Sequence, residues 1–410
     1  MLRWGKGFAC VVAITTVAIA MSCAPAFAAP TKGARSLAVN DRSVFLTAFD
    51  GQDVYWVTSK RVSFKHGETT VESVYRSSFN ENGAVLVYRT QPKSFDSIYM
   101  IKAGGGVAAI GVYHPQLRKG ELRSDSIVRV NRDGTSAQEV AAGLVQADDE
   151  HLAVVENGVA RLNDCGTDTE LNAVSSTGEV FYTRRDRERG STACGGKPDV
   201  NQIHYVGVAI NGATREIYSG TEKVVSHFRV TKYGGKPFGY CECDGSSGDF
   251  DVFGEYAVLS PDFRNYSVIN MTTGAVLPIP AMPKGDSGSR ILSVTTSGKI
   301  VQNQAVRSRY HRPRYQYFTT IYPTPGSLQP EVKTKGAAWT LACGDAIFSV
   351  FERRKKEVIV QVDPLTGALT RVVATVSSKN REGVIGCTAG FMYAVKERRG
   401  KQIFTLLPLG

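Results

Sequence analysis

From about residue 37 onward, short apolar runs alternate with Gly, Asn, Asp and Ser. Val54-Tyr55-Trp56-Val57, Val85-Leu86-Val87-Tyr88, Val180-Phe181-Tyr182 and Val358-Ile359-Val360 are representative. Runs this short, rich in β-branched and aromatic residues and bounded by turn formers, predict strands. No segment carries the longer three-to-four spacing of an amphipathic helix. The pattern predicts an all-β fold.

A slower rhythm runs beneath the strands. Gly51, Gly83, Gly178, Gly254, Gly298, Gly344 and Gly390 are each followed by one residue, or two at Gly51, and then an apolar run. The last four are 44, 46 and 46 residues apart. Setting Cys343 on Cys387 also sets Phe348 on Met392, Arg354 on Arg398 and Ile359 on Ile403. A period of ~40–50 residues in an all-β chain predicts a β-propeller with four antiparallel strands per blade. The expected number is seven blades, with six and eight as alternatives, the eighth entering at Asp149-Glu150-His151-Leu152. Each glycine is expected to open a blade, so the strand after it would be the blade's first. Only 20 residues follow Gly390, about two strands. N-terminal strands near 37–48 are therefore expected to complete the last blade.

Asn131-Arg132-Asp133-Gly134-Thr135, Asn270-Met271-Thr272-Thr273-Gly274 and Asp363-Pro364-Leu365-Thr366-Gly367 each follow an alternating run. Such segments predict hairpin turns, with Gly supplying the positive φ. With Ser260-Pro261-Asp262, these turns make the chain resemble the bacterial β-propeller repeat superfamily, of Tol-type and YVTN/quinoprotein-like blades. The resemblance implies a fold and no particular activity.

Composition narrows the class further. The 410 residues are 42% hydrophobic and 21% charged, which excludes a disordered polymer, a collagen-like rod and a polytopic membrane protein. The chain is too long for one core, a difficulty that small cores between blades remove. At the N-terminus, Arg3 and Lys6 precede an uncharged, mostly apolar run from Phe8 to Ser22, and Ala26-Phe27-Ala28 supplies small residues for cleavage. The expected organisation is a signal peptide over 1–28, a linker over 29–36 and a single propeller domain over 37–410. The expected location is secreted or periplasmic, with no membrane span in the mature chain.

Cysteine usage points the same way. Cys10 and Cys23 leave with the signal, and six cysteines remain, which suits three disulfides in an oxidising compartment. Cys343 and Cys387, at equivalent positions expected at the start of first strands in adjacent blades, are predicted to pair. Cys165, Cys194, Cys241 and Cys243 allow three further pairings. Cys241-Glu242-Cys243 offers two zinc ligands, but no second pair has suitable spacing.

Motifs for catalysis are sparse. Gly285-Asp286-Ser287-Gly288-Ser289 looks like a serine-protease nucleophile segment, yet such a serine needs a His and an Asp in reach. None of His66, His114, His151, His204, His227 and His311 lies in the flanking sequence that accompanies it, so the segment is expected to be a polar loop. No catalytic residue is assigned and no cofactor or metal is expected. The alternative is calcium on the oxygen-rich loop from Asp244 to Asp251.

Charge carries more information. The chain holds 49 Lys and Arg against 38 Asp and Glu, and is +9 without residues 1–28. Residues 184–189, 307–314, 352–357 and 396–401 contribute +2, +4, +2 and +3, leaving the rest at −2. Each segment is expected to form the turn from a blade's first strand to its second, so that all four share one face. Arg309, Arg312, Arg314, Arg354, Lys355, Arg398 and Arg399 are the expected binding residues, with Tyr310 and Tyr315 stacking. Arginine forks suit phosphate and carboxylate, and clustered charge steers anions from a distance. The function expected is a non-catalytic, monomeric binding module for an anionic polymer or an acidic protein partner. The alternatives are a Tol-like envelope scaffold and a hydrolase or lyase with its site in the central channel.

Overall fold

The computed structural model describes residues 34–409, apart from 40–42, 65–66, 82, 93–95, 115–121, 147–153, 157–158, 162–164, 188–198, 234–235, 245–248, 261–265, 280–289, 308–314, 324–331, 336–338, 354–355, 378–382, 389 and 399–400. The strand-forming runs fold as seven antiparallel blades of four strands. Blade 1 comprises Val44–Asp50, Asp53–Phe64, Gly67–Ser78 and Val85–Arg89. Blade 2 comprises Ser97–Gly104, Val107–Tyr113, Leu122–Asn131 and Ala137–Gln146. Blade 3 is Cys165–Val174, Val180–Arg187, Asp199–Val208 and Thr214–Tyr233, and blade 4 is Asp249–Phe253, Tyr256–Ser260, Ser267–Asn270 and Val276–Pro278. Blade 5 holds Arg290–Val294, Ile300–Arg307, Tyr315–Tyr322 and Val332–Lys335, and blade 6 holds Trp339–Cys343, Ala346–Arg353, Lys356–Val362 and Leu369–Ser377. Blade 7 is Gly383–Thr388, Phe391–Arg398 and Lys401–Pro408, completed by Arg35–Val39 from the other end of the chain.

First strands lie at the centre. Val44–Asp50 approaches Ser97–Gly104, which approaches Cys165–Val174, and Trp339–Cys343 lies between Arg290–Val294 and Gly383–Thr388. Fourth strands face outward, and Leu86, Val276 and Leu369 are exposed on them. Between these layers each pair of neighbouring blades closes its own apolar core. Tyr55 and Val74 meet Ile110 and Val128 between blades 1 and 2, for example, and Phe348 and Val350 meet Met392 and Ala394 between blades 6 and 7. Among the described residues, seven such clusters go round the ring. Each fully buried Val, Ile, Leu or Phe contributes roughly 1.5–3 kcal/mol, so the long chain needs no single large core.

The ring closes between blades 7 and 1. Arg35–Val39 pairs with Lys401–Pro408, Val39 facing Gln402 and Arg35 facing Leu406. Phe49 stacks on Tyr393 at 4.2 Å, and the Tyr393 hydroxyl donates to the Gly51 carbonyl at 3.0 Å.

The repeat is as expected in period but displaced by one strand. Positive-φ glycines mark the seven turns from first to second strand: Gly51, Gly105 with Gly106, Gly178, Gly254, Gly298, Gly344 and Gly390. The strand after each glycine is therefore a blade's second, not its first. Gly83, grouped with them from the sequence, instead precedes a fourth strand, and blade 2 uses Gly105. Gly105 combines φ +59° with backbone contact, since a Cβ there would lie 2.2 Å from the Gly178 nitrogen. The Asx- and Gly-bearing turns at 131–135, 270–274 and 363–367 join third to fourth strands, with Gly134, Gly274 and Gly367 at positive φ.

The irregular stretch before Gly178 holds no eighth blade among its described residues. It accommodates the rest of blade 2, the small hairpin Val154–Glu156 with Val159–Arg161, and the first strand of blade 3. Gln146 pairs with Cys165, so blades 2 and 3 share one continuous sheet. After blade 3, the outer half of Thr214–Tyr233 forms a second hairpin with Lys236–Asp244. No helix among the described residues is long and apolar enough to cross a membrane.

Cys343 and Cys387 form a disulfide between blades 6 and 7, with Cα atoms 5.6 Å apart. They sit at the ends of first strands rather than the starts, another consequence of the one-strand displacement. The side chains of Cys165, Cys194, Cys241 and Cys243 and the segment 285–289 lie outside the described residues, as does the centre of the Asp244–Asp251 loop.

Candidate functional site

All four basic segments join second strands to third strands. Their flanking residues pair as Asp186 with Gln202 in blade 3, Arg307 with Tyr315 in blade 5, Arg353 with Lys356 in blade 6 and Arg398 with Lys401 in blade 7. This corrects the expected first-to-second assignment. The physical reason lies in the inner strands. In blades 5, 6 and 7 they are shorter than the strands that follow the glycines, and Trp339–Cys343 is only half buried, so they make the weaker apolar signal. In an antiparallel blade, second-to-third turns leave from the end opposite to the first-to-second and third-to-fourth turns. The strands leading into the four basic segments therefore terminate at one end of the disc, and the glycine turns occupy the other.

Arg309, Tyr310, Arg312, Arg314, Arg354, Lys355 and Arg399 lie outside the described residues. Tyr315 opens the third strand of blade 5 and Arg398 ends the second strand of blade 7, with only their backbones described. In blade 3 two arginines of the first basic segment are already engaged. Arg184 pairs with Asp186 at 2.9 Å, and the nearly buried Arg185 pairs with Glu170 at 3.0 Å. His204 lies between Asp186 and Glu216, its Nδ1 at 2.6 Å from Glu216 and its Nε2 at 3.4 Å from Asp186. The bond to His204 holds the Glu216 carboxyl below its ordinary range.

At the glycine end, a cleft of about 370 Å³ opens between blades 1 and 2, lined by Arg76, Glu81, Gly106, Asn131, Arg132 and Asp133. Beneath it Asp53, 3% exposed, accepts from Arg76 Nη1 at 3.2 Å and from Arg132 Nε and Nη2 at 2.6 and 3.1 Å. Glu81 takes a second donor from Arg76 at 2.9 Å. Burial raises the Asp50 carboxyl, against the opposing pull of the Gly106 N–H, which donates to it at 2.7 Å. Hydrogen bonding to Asp53 makes the Arg132 guanidinium still harder to deprotonate. Charge here is spent on joining blades. Arg129 does the same between blades 2 and 3, donating to the carbonyls of Ala209 and Ile210 at 2.7 and 2.9 Å. Arg215 of blade 3 likewise reaches the Met271 carbonyl of blade 4 at 2.8 Å. The bonds of Arg132, Arg129 and Arg215 are not visible in the sequence, because each links residues from different blades. Among the described residues, no group of three or more His, Cys, Asp or Glu is placed to hold a metal.

No protein-family model and no curated protein matches the chain. Among solved structures it is similar to the polysaccharide lyase Uly1, at 9% identity over 93% of this chain and 100% of that one, with a TM-score of 0.49. It is also similar to an acylaminoacyl peptidase of Pyrococcus horikoshii, at 11% identity over 90% of this chain and 49% of that one, with a TM-score of 0.47. A third likeness is to the β-propeller domain of the Trilobed protease of Pyrococcus furiosus, at 10% identity over 88% of this chain and 92% of that one, with a TM-score of 0.44. These likenesses concern architecture alone, and the seven-bladed propeller rests on this chain's own strand pairing.

Proposed function

We propose that this protein is an exported propeller that binds an anionic polymer at the end of the disc bearing its basic turns. One observation carries the reading: the basic segments of blades 3, 5, 6 and 7 all occupy the second-to-third connection. The arginines of the glycine end, by contrast, are taken up in bonds between blades. In this reading Arg309, Arg312, Arg314, Arg354, Lys355, Arg398 and Arg399 supply the ionic contacts, and Tyr310 and Tyr315 stack on sugars or bases. The same reading extends the Tol-type and YVTN/quinoprotein-like resemblance from fold to use, as a recognition disc.

Export is part of the proposal. It is supported by Arg3, Lys6, the apolar run after them and Ala26-Phe27-Ala28, and by a disulfide between Cys343 and Cys387, which persists in an oxidising compartment.

The test is binding of residues 29–410 to immobilised heparin across a salt series. Affinity is expected to fall steadily as salt rises, because ionic contacts to a polyanion release counterions. Replacing Arg312, Arg314, Arg398 and Arg399 with Glu should lower affinity at least tenfold and flatten the salt dependence, while leaving the melting temperature nearly unchanged. Binding that ignores salt, or that survives the four replacements, would overturn the reading.

A further inference from the structure

Blade 2 contains a hydrogen-bonded trio that no motif announced. His114, just beyond the second strand, places Nδ1 at 2.8 Å from Asp96 Oδ1 and Nε2 at 2.8 Å from Ser126 Oγ. Asp96 immediately precedes the first strand and Ser126 lies in the third. With the Asp96 carboxylate as acceptor, Nδ1 carries the ring proton, and the lone pair of Nε2 faces the serine hydroxyl. Nucleophile, base and orienting carboxylate are thus connected in the order that serine hydrolysis requires.

The backbone around Ser126 is irregular as well. Against the fourth strand the register shifts between Arg123 and Ser126, and again between Ile127 and Val128. Ser126 and Ile127 therefore sit between two breaks in the ladder. Bulges of this kind re-aim side chains and leave backbone groups out of strand pairing, and they are over-represented beside active sites.

We propose that Asp96, His114 and Ser126 form a hydrolytic triad acting on carboxylic esters with a compact acyl group. Ser126 is 2% exposed and the His114 side chain 20%, so burial excludes a long acyl chain from the hydroxyl. In the first step the Ser126 oxygen bonds to the acyl carbon and its proton passes to His114 Nε2. The ester C–O bond then breaks, and the departing alcohol takes that proton. Water next attacks the acyl-serine, giving its proton to Nε2, and the carboxylic acid leaves as the proton returns to Ser126. Asp96 stabilises the imidazolium formed in each half. The trio lies at the same end of the disc as the basic turns, since His114 follows a second strand. An acyl ester on a polymer bound there would be its substrate, a refinement that rests on the binding reading above.

A test independent of polymer binding uses 4-nitrophenyl acetate and a biotinylated fluorophosphonate on residues 29–410. The expected result is covalent labelling at Ser126, identified by peptide mass, with ester turnover at least 100-fold above that of Ser126→Ala. Asp96→Asn, which keeps the shape of the network, should lose most of the turnover while melting near the wild-type temperature. No label on Ser126, or equal turnover in wild type and Ser126→Ala, would overturn the triad. So would labelling that His114→Gln leaves unchanged in a folded protein. Heparin binding would stand in either case.

Discussion

Glu72 and Glu357 occupy the same register position in blades 1 and 6, opposite the seventh residue of the second strand, Ser59 and Glu352. Each accepts the backbone N–H of the second residue in the next blade's first strand, from Ile98 to Glu72 and from Val384 to Glu357, the latter at 2.8 Å. A buried carboxylate at this position ties one blade to the inner strand of the next.

Burial raises both carboxyls above the ordinary glutamate value, against the opposing pull of the accepted N–H. The folded state therefore holds these protons at pH values where the unfolded chain has released them. The stability this confers is present below the ordinary value and is lost as pH rises through the raised one. Glu72→Gln with Glu357→Gln keeps the acceptor oxygens and removes the titration. The difference in melting temperature between this variant and wild type should grow as pH rises from about 4.5. Glu72→Ala, which orphans the Ile98 N–H, should instead cost about 1–3 kcal/mol at neutral pH in denaturant titration.

The Cys343–Cys387 bond closes a separation of 44 residues across the interface of blades 6 and 7. Cross-linking removes freedom from the unfolded chain, typically by about 2–4 kcal/mol. Cys343→Ser with Cys387→Ser is expected to lower stability by that amount. Equal denaturation midpoints for the double variant and wild type would show that the bond stores no stability.

Asp53 is the shared acceptor of two arginines from two blades, with side chains of Asp53 and Arg76 only 4% and 8% exposed. Removing it leaves the buried Arg76 guanidinium with only the half-exposed carboxylate of Glu81, so Asp53→Ala should destabilise by about 3 kcal/mol. The Arg132 side chain is half exposed, and water screens what it contributes. Arg132→Ala should cost about 1 kcal/mol or less, and thermal melts of the two variants side by side check the order.

Arg35–Val39 covers the edge of Lys401–Pro408, and Val39 joins Val44, Val54, Trp56 and Phe404 in the closing core. A chain lacking residues 29–39 would expose a strand edge and open that core. It should melt at a lower temperature and scatter light on warming, where the chain from residue 29 stays clear.

What local physics demands could be read from the order of residues. Alternating apolar runs require strands, and turns such as 270–274 and 363–367 require a residue tolerant of positive φ, met by Gly274 and Gly367. The pairing of Cys343 with Cys387 was legible for a related reason, since equivalent positions one repeat apart become neighbours once blades stack. Tertiary structure alone decided which strand is innermost, because an inner strand such as Trp339–Cys343 is too short and too little buried to announce a blade's beginning. That one-strand displacement moved the basic segments to the second-to-third connection, and the strands leading into them end together. Only the fold, too, could bring Arg132 to Asp53, 79 residues away, Glu72 to Ile98, and His114 between Asp96 and Ser126. A local pattern reports what each residue requires of its own backbone. Which side chains meet depends on how far the chain travels round the ring before it passes the same radius again.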